Sequence, residues 1–138
     1  MNGTVKWAGD EFFIGTTGRG YSLVMDTKGD RHSAPTPMEM LLLSVAGCTA
    51  VDVISILQKK RQAVDEYDIR IEGTRADEHP KKFTEIRITH VVRGRNVSEK
   101  AVADAIELSE TKYCSVAATV KPTAKIITDF EIIETGGE

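Results

Sequence analysis

The stretch that most constrains this chain is Thr36-Pro37-Met38-Glu39, followed by an apolar run from Met40 to Leu57 with one cysteine, Cys48, close to its middle. Thr36 can cap a helix N-terminus, Pro37 suits the first helical position, and Glu39 falls at the third, where its side chain can reach back to the Thr36 amide. From there the apolar residues go all the way round instead of forming a stripe, which marks a helix covered on every side by protein or lipid. About 18 mainly apolar residues is the lower limit for spanning a bilayer. However, Ser44, Gly47, Thr49, Asp52 and Ser55 lie inside the run, and a charge near a bilayer centre is costly. The better reading is a central helix of a globular core, or of a dimer.

At 138 residues the chain reads as one domain, 1–138, large enough to bury a real core. Its net charge of −3 and pI near 5.7 favour neither nucleic acid nor an anionic membrane as a partner. The N-terminus reads straight into a strand, with no basic segment leading into an apolar one, so the expected compartment is the cytoplasm. Two cysteines, Cys48 and Cys114, do not make a disulfide scaffold. In a reducing compartment a bond between them would be transient and chemical, not structural.

Residues 4–8 and 11–14 read as short strands joined at Gly9-Asp10, with residues 15–20 a loop carrying Arg19 and residues 21–25 a third strand. The glycines at 15, 18 and 20 lack the spacing and context of a phosphate loop. The central helix should stop near Lys59-Lys60-Arg61, where cations suit the negative end of the helix dipole. Residues 67–73 alternate as a half-buried strand, and a polar bend at 76–82 joins it to a strand over 83–93, the clearest hairpin in the sequence. Ser98 should cap a second helix, with Val97 and Val102 placed for a hydrophobic staple. Its buried stripe runs through Val102, Ala105, Ile106 and Ser109 toward Tyr113 and Cys114. A short turn over 115–119 and a last strand over 124–133 follow, and residues 135–138 should fray. The order of elements gives α+β, with helices against an antiparallel-rich sheet.

Cys48 by itself reads as a small buried hydrophobe. Cys114, in the only other well-capped helix, raises the alternative of attacking and resolving thiols, if the fold brings their Cα atoms within about 7 Å. Asp52, four positions after Cys48, shares its helical face, and a buried carboxylate needs a partner. An arginine such as Arg19 or Arg31 could serve, as could hydroxyl or backbone groups, or a wetter subunit boundary. A bare carboxylate there would raise the thiol's pKa. His90, on the inward face of a strand, reads as a satisfied core or interface residue. His32 and His79 sit in polar turns without metal-ligand neighbours, and nothing supplies a histidine base for a cysteine protease.

The segment Ala34-Pro35-Thr36-Pro37-Met38-Glu39-Met40-Leu41-Leu42-Leu43-Ser44-Val45-Ala46-Gly47-Cys48, with Lys112-Tyr113-Cys114-Ser115-Val116 downstream, resembles the OsmC/Ohr family, most of all its YhfA-type branch. The likeness covers almost the whole chain. It implies an intertwined α+β homodimer with two active sites at the subunit interface, acting as a thiol-dependent peroxidase on organic hydroperoxides without metal, haem or flavin. By the resemblance Cys48 is the peroxidatic cysteine that becomes a sulfenic acid. Cys114 is the resolving cysteine, and an external dithiol reduces the disulfide. Arg19, in Thr17-Gly18-Arg19-Gly20, resembles the loop arginine that stabilises the thiolate. One position departs: the Ohr branch has a glutamate directly after the proline, where this chain has Met38. Its carboxylate comes one residue later at Glu39, about half a helical turn from Cys48, and the capping role accounts for it. The rival to peroxidase chemistry is a dimer that binds a small apolar ligand in the same interface pocket, Met38, Met40 and the leucines being adaptable lining. A duller rival is a stress-response dimer whose cysteines only pack.

Overall fold

The computed structural model describes residues 1–31 and 33–136, so His32 and the last two residues of the expected frayed end lie outside the described residues. Two compact units emerge, Met1–Leu41 and Leu42–Glu138.

The first unit is an antiparallel meander of β1 (Gly3–Trp7), β2 (Phe12–Thr17) and β3 (Ser22–Asp26). β2 runs on to Thr17, so part of the expected loop over 15–20 is strand, because Gly15 and Thr16 pair with both Val5 and Thr4 on one side and Leu23 and Ser22 on the other. The turn is confined to the tip, where Gly20 takes φ +93° and its amide bonds the Thr17 carbonyl, a conformation that suits glycine. After β3 the chain is tied down by Asp26, which is almost fully buried. Arg31 grips its carboxylate with two bonds of 2.7 Å, Ser33 adds a third at 2.6 Å, and the guanidinium stacks 3.8 Å from the Phe12 ring centroid. The Arg31 guanidinium holds the Asp26 carboxyl well below the usual carboxylate range, against burial that pushes it up.

Helix α1 (Pro37–Lys59) starts with the reciprocal cap read from sequence. The Thr36 amide donates to Glu39 Oε1 at 2.9 Å and the Glu39 amide to Thr36 Oγ1 at 3.1 Å, satisfying two amides that a helix start leaves unpaired. It ends where Arg61 takes φ +57° and the Gln62 amide reaches back to the Leu57 carbonyl, a left-handed C-terminal cap. By length and composition α1 is sufficient to cross a membrane. Its buried residues, Val45, Thr49, Val53 and Leu57, recur every four positions and form one seam. Leu43 and Val51 are 60% and 66% exposed. The expected cover on every side is therefore absent within the single chain: one face is packed and the other is bare.

The second unit continues with β4 (Ala63–Arg75), β5 (Phe83–Arg95), α2 (Glu99–Leu108), a π-helical turn (Ser109–Tyr113), α3 (Ser115–Val120) and β6 (Lys125–Glu134). β4 and β5 are antiparallel, whereas β6 runs parallel to β5, as the crossover through α2 and α3 permits. β4 begins four residues before the alternating segment, because Ala63 and Val64 still pair with Arg95 and Gly94. The close approach there needs glycine: a Cβ on Gly94 would fall 2.2 Å from the Ala63 carbonyl oxygen. The expected turn over 115–119 is instead a short helix, and Thr135 is held by its amide bond to the Gly94 carbonyl and not frayed.

Val53 and Leu57 of α1, Ala101, Val102, Ala105 and Ile106 of α2, and Val92 of β5 form the core, with Val97 and Tyr67 packed against it. Each fully buried Leu or Val side chain contributes roughly 1.5–3 kcal/mol of transfer free energy. Ser98 caps α2, accepting from the Ala101 amide at 3.2 Å. Within this apolar layer His90 is completely buried. Its Nδ1 shares a 2.7 Å hydrogen bond with the Tyr67 hydroxyl, the rings stack with centroids 5.9 Å apart, and Nε2 has no partner among the described residues. His90 is thus only half satisfied.

Burial pushes His90 down from its ordinary 6.5 to about 4. The unfolded chain therefore takes a proton that the folded chain refuses. Stability is full above pH 6.5 and falls as the pH drops toward 4, by about 3 kcal/mol in all from the two pKa values. Urea unfolding of the parent and His90→Gln between pH 7 and 4.5 should show a clearly flatter pH slope in the variant. Equal slopes would refute the assignment.

Candidate active site

Cys48 lies in the middle of α1, half-buried, and Cys114 is buried at the junction of the π-helical turn with α3. The two thiols, 66 residues apart in sequence, are near enough for Cys48 to act on the ionisation of Cys114. A π-helical turn carries an extra residue per turn, a local distortion frequent at functional sites. It is closed by the Cys114 amide, which donates to the Ser109 carbonyl at 2.8 Å.

Cys114 is also the N-cap of α3: its backbone is extended, with φ −75° and ψ 98°, and its sulfur accepts from the Ala117 amide at 3.4 Å. A helix N-terminus ordinarily favours a thiolate. Here burial dominates, the neighbouring Cys48 thiol and the nearby Asp52 charge act in the same direction, and the Cys114 thiol is pushed up to about 11. Near neutral pH such a thiol stays protonated. The pair is therefore asymmetric, one sulfur half-buried and the other buried and protonated.

Asp52 stands one turn along α1 from Cys48, and its partner is a hydroxyl: Ser109 Oγ donates to Asp52 Oδ2 at 2.8 Å. Ser109 also meets Thr49 Oγ1 at 2.9 Å. Arg31 and Arg19 are engaged elsewhere. Arg31 bonds Asp26 and Asp10, and Arg19, on the β2–β3 turn, places its guanidinium 5.4 Å from the Tyr21 ring centroid. Glu39 is engaged in the cap of α1. Sequence reading placed Ser109 in the buried stripe of α2 but gave it no role. A hydroxyl in an otherwise apolar seam, five positions before a cysteine, was the available signal, and Thr49 in the matching seam of α1 was its counterpart.

An open groove of about 410 Å³ lies along α1 and the π-helical turn, with neither cysteine in its lining. It is lined by Val51, Asp52, Ile56, Leu108 and Tyr113, with Lys59 and Lys60 at its rim. Among the described residues no three His, Cys, Asp or Glu side chains gather to hold a metal ion.

Comparison with known proteins agrees with this architecture. A family model described as "OsmC-like protein" matches residues 28–129. The protein YhfA of Escherichia coli (strain K12) is 40% identical over 134 residues, covering 96% of this chain and 98% of its own length. A crystal structure of a hypothetical protein from Aquifex aeolicus VF5 superposes with a TM-score of 0.86 at 35% identity, covering 97% of this chain and 96% of that one. More distantly, the organic hydroperoxide resistance protein OhrB of Bacillus subtilis shares the fold, with a TM-score of 0.63 at 14% identity over 95% of this chain and 98% of its own. Matched by that model over residues 28–129 and by YhfA over nearly its whole length, this chain belongs to the OsmC-like family.

Proposed function

We propose that the protein is a thiol-dependent peroxidase that reduces organic hydroperoxides by a two-cysteine cycle. The observation that carries this reading is that the fold brings a half-buried Cys48 near a buried Cys114, whose thiol is held protonated. The Cys48 thiolate attacks the outer oxygen of ROOH and the O–O bond breaks. With one proton taken up, the products are Cys48 sulfenic acid and ROH. Cys114 then gives up its S–H to form the disulfide, releasing water, and an external dithiol restores both thiols. Arg19 is proposed as the cation that favours the Cys48 thiolate. Support comes from its place in the family pattern. The bare face of α1, with Leu43 and Val51 exposed, supports a homodimer in which a second copy covers it, in keeping with a cytoplasmic protein. Names of neighbours such as OhrB lend the substrate class.

The second reading, a binding module for a small apolar ligand, is favoured by the groove of about 410 Å³ beside Val51 and Tyr113, within the usual size range of ligand sites. A ligand retained in native mass spectrometry, with no peroxide turnover, would choose it.

Reduced protein mixed with cumene hydroperoxide and a dithiol should turn over. Cys48→Ser should lose essentially all activity, and Cys114→Ser should accumulate a sulfenic acid at Cys48 that dimedone traps. Peroxide consumption by Cys48→Ser at the parent rate would refute the proposal. Iodoacetamide on the native reduced protein at pH 8 should modify Cys48 only, Cys114 reacting after denaturation. Equal modification of both would overturn the assigned asymmetry. Arg19→Ala should move the pH midpoint of Cys48 alkylation upward, and an unmoved midpoint would remove Arg19 from the site.

A further inference from the structure

Ser109 is completely buried and stands where three demands meet. Its hydroxyl carries one proton. Because the Asp52 carboxylate only accepts, that proton goes to Asp52 Oδ2 at 2.8 Å, and the Thr49 hydroxyl must in turn donate to Ser109 Oγ at 2.9 Å. The direction is fixed: Thr49 to Ser109 to Asp52. Thr49 and Asp52 follow Cys48 by one and four positions on α1, while the Ser109 carbonyl accepts the Cys114 amide and closes the π-helical turn. A single residue thus grips the helix that carries one sulfur and the backbone that carries the other.

We propose that the Thr49–Ser109–Asp52 chain is a latch that positions Cys114 to bond the oxidised sulfur of Cys48, with Ser109 and Asp52 acting as positioning residues for disulfide closure. The physical case is one of register. Without the extra residue of the π-helical turn, Cys114 would rotate about 100° around the helix axis, the step of one residue, and face away from α1. Such turns are rare and short, so this one needs an anchor, and the buried Ser109 hydroxyl supplies it. Apolar residues would fill the same seam without the cost of burying two hydroxyls. What the polar chain adds is direction, since it is satisfied in only one alignment of α1 with the turn. Closing the disulfide shortens the separation of the two sulfurs to about 2.05 Å at a restricted torsion, a step sensitive to how that alignment is held.

The latch serves the two-cysteine cycle proposed above, but its test does not depend on peroxide. Diamide, an azo compound, takes two electrons and two protons from a pair of neighbouring thiols and leaves a disulfide. In the reduced full-length protein treated with diamide, Ser109→Ala should close the Cys48–Cys114 bond at least ten-fold more slowly than the parent. Equilibration with dithiothreitol should show the disulfide disfavoured by a similar factor. Asp52→Asn, whose amide oxygen can still accept from Ser109, should restore most of the closure that Asp52→Ala loses. This rescue also decides the matter if Ser109→Ala does not fold. Closure at the parental rate in Ser109→Ala, or no difference between Asp52→Asn and Asp52→Ala, would overturn the latch. With cumene hydroperoxide, the dimedone adduct of Cys48 should build up in Ser109→Ala. If no variant or parent gives that adduct while diamide closure still depends on Ser109, the peroxidase reading falls and the latch stands.

Discussion

A 23-residue helix, apolar around its whole circumference, must be covered, and its own chain covers one face. Val45, Thr49, Val53 and Leu57 form the packed seam of α1, and the remaining features of the second unit follow from how that seam is filled. α2 and the sheet provide the apolar partners for Val53 and Leu57. Farther up the same seam the contact turns polar, with Ser109 against Thr49 and Asp52, and the cysteine pair lies at that change of character. The uncovered face is what makes a second copy the natural reading of the rest of the helix.

The two sulfurs illustrate how position outweighs residue type. Cys114 occupies a helix N-cap, with an amide directed at its sulfur, a setting that in an open site would lower a thiol's pKa. Burial, the neighbouring thiol and the Asp52 charge overcome that and keep it a proton donor. Cys48 has the less favoured local backbone, deep within a long helix, but it keeps access to solvent. The difference between an outer and an inner thiol arises from solvation and from the Asp52 charge.

Local features were legible in the sequence and distant ones were not. The reciprocal cap of Thr36 and Glu39, the Ser98 cap and the β4–β5 hairpin depend on residues a few positions apart, and the sequence shows each of them. The family likeness carried the two cysteines. The partner of Asp52 was hidden because it lies 57 residues away, and hydroxyls leave no periodic signature. The π-helical turn was invisible because its residues read as a continued α-helix, one residue of slack being beyond any pattern of period. The longer reach of β2 and β4 came from pairing on the flanks, which propensity does not record.

Cys114 caps α3 through the same sulfur that faces Cys48. α3 is only six residues long, so one amide at its start is a sizeable part of its hydrogen bonding. Any bond formed at that sulfur turns its lone pairs to a new direction and leaves the Ala117 amide to find another acceptor. The chemistry of a single atom is thereby coupled to fraying of the segment leading into β6, and amide exchange at Ala117 becomes a spectator that reads the oxidation state without touching either thiol.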